Sequence, residues 1–397
     1  MVIMSARSLQ YIQAGCFAAA LLAANGPACA RRESVLYSFK GGGDGADPQT
    51  SLVDVRGTLY GETANGGTST ACSGGCGTVF SVTTSGVEKI VYSFQGGSDG
   101  GNPINGLIRV NGNLFGTTSN GGTSNNGTVF RVNPATGRKT IVYNFSGGND
   151  GASPDGGLIN LGGVLYGLTA AGGGPSTVCS TGCGTVFSVT PAGAEAVVYS
   201  FACCSDGYGP GYGLANVNGT LYGTTGEGGY FFGGTVFSVT TAGIESVLYS
   251  FLVQGDGPYY PAASFITVNG TLYGTTSGGS PYKVGSVFSV TPSGTVKLVY
   301  AFKEGTGDGF YPQAGLINVK GTLYGTTTSG GAFGGVFGYG TIFSVTKAGA
   351  EKVVYSFRGG IDGANPEAGL INVGGTLYGT TTAGGSAGNG TVFAVTP

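Results

Sequence analysis

The chain has 397 residues, 40% of them hydrophobic and only 9% charged, with a formal net charge of −2. It is apolar enough to bury a core and too apolar for a disordered tail, and without a basic run it lacks the electrostatic footprint of a nucleic-acid binder. Gly and Pro together make up a quarter of the chain, but the glycines recur with a period, so they read as turn positions rather than low complexity.

Residues 1–30 read as an export signal. Arg7 gives a weakly positive start, residues 14–24 (AGCFAAALLAA) form a short apolar stretch, and Ala28-Cys29-Ala30 supplies the small-x-small site for cleavage after Ala30. The apolar stretch is shorter than the ~20 residues of a spanning helix, and no later window could cross a bilayer as a helix. A secreted protein, extracellular or periplasmic, is therefore expected, with no membrane span once the signal is removed.

From residue 31 onward four segments recur seven times, about 50 to 57 residues apart. The first is an aromatic pair, Tyr37/Phe39, Tyr92/Phe94, Tyr143/Phe145, Tyr199/Phe201, Tyr249/Phe251, Tyr300/Phe302 and Tyr355/Phe357. An Asp-Gly turn follows at Asp44, Asp99, Asp150, Asp206, Asp256, Asp308 and Asp362. A Leu-aromatic-Gly segment has its aromatic at Tyr60, Phe115, Tyr166, Tyr222, Tyr273, Tyr324 and Tyr378, and a TVF-like segment ends at Phe80, Phe130, Phe187, Phe237, Phe288, Phe343 and Phe393. Seven agreeing copies are far stronger than any single motif.

Each repeat holds four predicted strands, A to D. In the third copy they are residues 157–161, 163–169, 184–190 and 195–201, rich in Val, Thr, Tyr and Phe. Val197, Tyr199 and Phe201 fall on one face of the last and Val198 on the other, so neither face is cleanly polar and the sheet must be covered on both sides. The expected fold is all-β, a seven-bladed β-propeller of four-stranded antiparallel blades. It forms one domain over 31–397, with repeats at about 50–94, 106–145, 157–201, 213–251, 264–302, 315–357 and 369–397. The last repeat has no D strand of its own. Residues 33–39 can supply it by pairing with 390–396, which closes the ring without a free edge.

The absence of His removes Ser-His-Asp and Cys-His catalysis and imidazole metal sites, and the Gly pairs lead into strands rather than into a helix that could receive a phosphate. No cofactor and no metal are expected. The Asp-Gly residues read as turn chemistry, the rival being a ring of calcium-binding carboxylates. Glu62, Asp155, Glu227, Glu304 and Glu367 depart from the repeat consensus and read as solvated loop charges, or else as acids for glycoside hydrolysis. Six cysteines remain after the signal, Cys72, Cys76, Cys179, Cys183, Cys203 and Cys204, an even count that reads as disulfides. Cys72–Cys76 is expected to be local. The other four allow three connectivities, among them Cys179–Cys183 with a vicinal Cys203–Cys204.

The repeats differ most in their D-to-A and B-to-C loops, which share one end of the antiparallel unit. In repeats four to six these loops carry Tyr208, Tyr212, Tyr230, Phe231, Phe232, Tyr259, Tyr260, Tyr282, Phe310, Tyr311, Phe333, Phe337 and Tyr339, while the same loops of the other four contain no aromatic residue. Exposed rings suit sugar faces or a partner protein; the competing reading is a local mini-core beneath longer loops. The leading expectation is a monomeric, non-catalytic binding or scaffold module for glycan or surface protein. An extracellular polysaccharide hydrolase or lyase using loop carboxylates is the alternative, and a purely structural surface repeat protein the third.

GGTLYGTT at 374–381 followed by a Gly pair, then GTVFAVT, together with VVYSFRGGIDGANPEAGLINV at 353–373, resembles the GloVer-type tandem repeat, named for the bacterial groups in which it was described. The resemblance covers the whole mature chain. It implies a secreted or surface-displayed bacterial repeat protein, and it carries no catalytic residue onto these positions. Members carry varied C-terminal anchoring signals, whereas this sequence stops at Thr396-Pro397 with no sorting segment.

Overall fold

The computed structural model describes residues 33–397 apart from 175–177, 254–256, 280, 306 and 336; the expected export signal and Asp256 lie outside the described residues. Every repeat begins with an A–B hairpin whose two turn residues both adopt positive φ, as at Asn111-Gly112 (49° and 79°) and Asn218-Gly219 (53° and 87°). Such turns match the right-handed twist of the flanking strands, and Asn-Gly is the pair that tolerates them best. B then pairs with C and C with D, all antiparallel. In the third repeat the strands are Ala152–Leu161, Val164–Ala171, Thr185–Val189 and Glu195–Ser200. The A strand starts earlier than the sequence suggests because Ala152, Pro154 and Asp155 pair with Ala171, Thr169 and Leu168.

Repeats one, two and six form four-stranded sheets in the order A-B-C-D, and the fifth has an extra segment, Pro258–Pro261, beside its B strand. Repeats three and four are joined by one parallel pair, Gly157 with Gly213, into eight strands. The last sheet runs Ile371–Val373, Thr376–Thr381, Thr391–Val395 and then Glu33–Ser38, with Glu33 opposite Val395 and Ser38 opposite Thr391. The N-terminal strand therefore occupies the D position of the seventh repeat. Among the described residues no helix is long and apolar enough to cross a membrane.

The repeat signature is a packing signature. The Gly of each Leu-aromatic-Gly segment lies under the ring of the C-strand Phe, and a Cβ at Gly379 would come within 2.6 Å of Phe393 Cζ. Paired B- and C-strand hydroxyls satisfy each other where both are buried, as in Thr63–Thr78 (2.8 Å), Thr225–Thr235 (2.9 Å) and Thr381–Thr391 (2.8 Å). Between repeats, the D-strand Phe packs edge-on against the next C-strand Phe, as in Phe94–Phe130 (5.1 Å) and Phe302–Phe343 (4.9 Å). Phe39 of the N-terminal strand meets Phe80 of the first repeat in the same way, at 5.0 Å. A Pro in each D-to-A loop sits against a Gly of the preceding repeat, and Pro48 sits against Gly390, where a Cβ would come within 2.6 Å of Pro48 Cδ.

Candidate functional site

The D-to-A loop is fastened by its own Asp. The Tyr of the aromatic pair donates its OH to that carboxylate at Tyr37–Asp44 (2.6 Å), Tyr92–Asp99 (2.8 Å), Tyr143–Asp150 (2.7 Å), Tyr199–Asp206 (2.9 Å), Tyr300–Asp308 (2.8 Å) and Tyr355–Asp362 (2.7 Å). A backbone N–H from the start of the loop donates to the same group, for example Lys40 N to Asp44 (2.7 Å) and Arg358 N to Asp362 (2.7 Å). The first residue of a neighbouring D strand approaches this fastener. Burial, and then the adjacent Asp, push Glu88, Glu195, Glu245 and Glu351 up to about 7, and Glu33 beside Asp362 up to about 8. The second repeat has Lys139 there instead, with its Nζ 2.9 Å from Asp99 Oδ1.

These fasteners hold loops whose tips differ. Ten of the thirteen sequence-selected aromatics are exposed, from Tyr339 at 37% to Tyr230 at 77%, and they are all the exposed Tyr and Phe among the described residues. Tyr208 and Tyr259 are half-buried and Phe310 is buried, so the mini-core reading accounts for three rings and not for the set. The exposed rings are organised rather than scattered. Tyr230 meets Phe231 edge-on at 4.8 Å, Tyr259 meets Tyr260 at 5.0 Å, and the Arg358 guanidinium lies 5.1 Å from the Phe333 ring centre.

Four of them stand on left-handed backbone: Tyr212 (φ 67°), Phe232 (62°), Tyr260 (55°) and Tyr311 (57°). At the position before the loop Pro, the other repeats place Asp47, Asn102, Ser153, Gly209 and Asn365 at φ between 51° and 61°. Asn, Asp and Gly tolerate that conformation, while a Tyr there is strained. Tyr260 and Tyr311 thus occupy a turn position that suits small polar residues.

Beside these loops is a pocket of about 510 Å³ lined by a segment at or before the A strand of each of the seven repeats, with Ser277 added from a B strand. Two of the carboxylates that the sequence singled out, Asp155 and Glu367, line it, with Tyr212 near Asp155. Burial raises the pKa of Asp155, partly offset by the Gly156 N–H; burial and then Asp47 raise that of Glu367. Gln49, Asn105 and Gln313 add amides, and Asn105 is fixed by donating to Thr117 Oγ1 (2.9 Å) and to the Pro154 carbonyl (2.8 Å). Glu62 does not reach the lining. It is fully buried, accepts the Gly106 N–H at 2.9 Å through Oε2, leaves Oε1 unpartnered, and is pushed up to about 8 by burial. Glu304 and Glu227 are exposed, and Glu227 accepts the Tyr208 OH at 2.5 Å. Sequence reasoning missed the pocket, although Asp155 and Glu367 each directly follow the loop Pro and so share one register position.

Cys72–Cys76 and Cys179–Cys183 are disulfide-bonded. Cys203 and Cys204, counted among the disulfide cysteines on the even number alone, are free thiols with their Sγ atoms 3.0 Å apart; the loop backbone brings them into contact without bonding them.

The Gloeobacter/Verrucomicrobia repeat matches residues 27–179 and 176–393, so the chain belongs to that family. No curated protein matches it. Among solved structures it is similar to a candidate 6-phosphogluconolactonase from Bacteroides uniformis, at 14% identity and TM-score 0.51 over 82% of this chain and 89% of that one. It is also similar to the extracellular domain of a candidate one-component system from B. thetaiotaomicron, at 13% identity and TM-score 0.55 over 92% of this chain and 42% of that one. A third similar structure is a puromycin hydrolase, at 12% identity and TM-score 0.52 over 84% of this chain and 50% of that one. The chain spans no more than half of the latter two proteins. At these identities the likeness is one of fold, all-β and of the propeller type.

Proposed function

We propose that this member of the Gloeobacter/Verrucomicrobia repeat family is a secreted, closed seven-bladed β-propeller that binds extracellular glycan without transforming it, through the aromatic loops of repeats four to six. One observation carries the reading: every exposed aromatic side chain among the described residues lies in the loops of repeats four to six or, for Tyr212, Phe232 and Tyr260, in the strand segments Tyr208–Val217, Phe232–Thr240 and Pro258–Pro261 that extend into them, and four stand on backbone that disfavours their residue type. Strain of that kind, on exposed rings that packing does not require, is a mark of a binding surface. Flat rings stack on the apolar faces of sugars, and the neighbouring carboxyl and amide groups of the pocket suit hydroxyls. The two disulfides fit an oxidising compartment. Ring closure draws its support from the Phe39–Phe80 and Pro48–Gly390 contacts and from Glu33 beside Asp362, each repeating an inter-repeat contact where the two chain ends meet.

The test is a polysaccharide array probed with the protein and with a Tyr230→Ala, Phe231→Ala, Phe232→Ala variant. Binding to a restricted set of glycans is expected, weakened at least about tenfold in the variant if the rings act as an energetic hot spot. Equal binding by the folded variant would reject the aromatic surface, and binding to protein but to no glycan would replace the ligand class.

A second reading has one specific observation behind it. Asp155 and Glu367 both line the pocket and both are biased toward the protonated form, as the acid of a polysaccharide hydrolase or lyase would be. Product release from a bound polysaccharide, abolished by Asp155→Asn, would favour it over the binding module.

A further inference from the structure

The first and third repeats carry the same C-x-x-x-C loop, and comparing them isolates a feature found at only one of the two. In the first, the Cys72–Cys76 disulfide packs against Gly96, where a Cβ would come within 2.9 Å of Cys76 Sγ and 3.1 Å of Cys72 Sγ. Gly96-Gly97 opens the short turn Gly97–Asp99 with φ of 73° and 54°. In the third, the disulfide is Cys179–Cys183, and the residues at the corresponding place, opening the turn Cys204–Asp206, are Cys203-Cys204 at φ 85° and 62°. Two glycines have thus been replaced by two cysteines on backbone that disfavours any L side chain. The first replacement points a sulfur at the disulfide: the Sγ atoms of Cys179, Cys183 and Cys203 all lie within 4.8 Å of one another. Cys204 Sγ is 3.0 Å from Cys203 Sγ, and Cys203 is buried while Cys204 is exposed.

We propose that Cys179, Cys183, Cys203 and Cys204 form a thiol–disulfide exchange centre, in which the buried Cys203 thiol relays a single disulfide between the loop pair and a vicinal pair whose second member, Cys204, is exposed. The thiolate of Cys203 attacks one sulfur of the Cys179–Cys183 bond. A bond forms from Cys203 to that sulfur, and the other leaves as a thiolate and takes up the proton given up by Cys203. The Cys204 thiolate then attacks Cys203, closes the Cys203–Cys204 bond and releases the second loop sulfur as a thiol. One disulfide and two thiols are present before and after, so no external oxidant or reductant is consumed. The exposed Cys204 is where a low-molecular-weight thiol or disulfide would exchange with the centre. Cys72–Cys76, which has glycines in place of the second pair, is an inert disulfide by the same logic.

The test equilibrates the full chain at mildly alkaline pH in a mixture of glutathione and glutathione disulfide, quenches with acid, alkylates free thiols and maps the linked peptides by mass. A link from Cys203 to Cys179 or Cys183 is expected in the wild-type protein, together with some Cys203–Cys204. Cys204→Ser, which cannot resolve the intermediate, should accumulate the first link severalfold, and Cys72–Cys76 should stay paired only with itself. Finding Cys203 solely as a thiol or joined solely to Cys204, across the glutathione series, overturns the proposal. The wild-type map decides the point even if the Ser variant folds poorly.

Discussion

At the residue scale, seven copies of one unit act as each other's controls. The position before the loop Pro is left-handed throughout, and Tyr260 and Tyr311 stand where Asn102 and Asn365 stand elsewhere. Tyr260→Asn and Tyr311→Asn are therefore expected to stabilise the protein by about 1 kcal/mol each, read as a raised urea midpoint, while weakening glycan binding. A loss of stability would mean that the rings serve packing. The converse case is Gly223, where a Cβ would come within 2.5 Å of Phe237 Cζ. Gly223→Ala should cost about 1–3 kcal/mol in urea unfolding, because the buried Phe ring has no room to retreat. The strained tyrosines were visible in the sequence as aromatics, but their strain was not, since backbone conformation at a turn emerges only when the repeats are superposed. The pocket was hidden for a related reason. Asp155 and Glu367 are far apart in the chain, and only their shared register after Pro154 and Pro366 turns both toward the one pocket.

Among the elements, the D strand carries the pH dependence. Glu88, Glu195, Glu245 and Glu351 start four D strands with pKa near 7, and Glu33 starts the N-terminal one near 8, against 4.5 in the unfolded chain. A raised carboxyl pKa means that the folded state holds a proton which the unfolded state has already released. The contribution is fully present below about pH 4.5 and is lost as the pH rises through 7 to 8. The groups are only partly buried, so solvent screens the effect, but all five act in the same direction. Thermal midpoints should fall by about 5 °C or more between pH 5.5 and 8.5, and Glu→Gln at positions 88, 195, 245 and 351 should flatten that slope. The strands themselves were legible from Val, Thr, Tyr and Phe at period two, to within a few residues; the long A strand of repeat three was missed because its extension carries Pro154 and Asp155, residues that read as a loop, and joins the rest of the strand across a register shift. The Glu–Asp juxtaposition could not be read, because it joins adjacent sheets rather than adjacent residues.

For the whole of residues 33–397, the repeat spacing made the all-β architecture and the role of the first strand readable before any coordinates, while the chemistry lies in the departures from the repeat: aromatic tips, two wall carboxyls and four clustered cysteines. Closure is what would hold the seven segments around one pocket. Glu33–Ser38 pairs with Thr391–Val395, and Phe39, fully buried, joins a core that includes Phe80 of the first repeat and Val392 of the last. The most direct measurement compares urea and thermal unfolding of the full chain, of a form lacking residues 31–39, and of a permuted form carrying those residues after Pro397. A closed ring predicts a single cooperative transition, a midpoint lowered by about 5 °C or more on deletion, since burial of Phe39 alone contributes roughly 3–5 kcal/mol, and recovery of most of that loss on permutation. An unchanged midpoint after deletion, or no recovery in the permuted form, would contradict it.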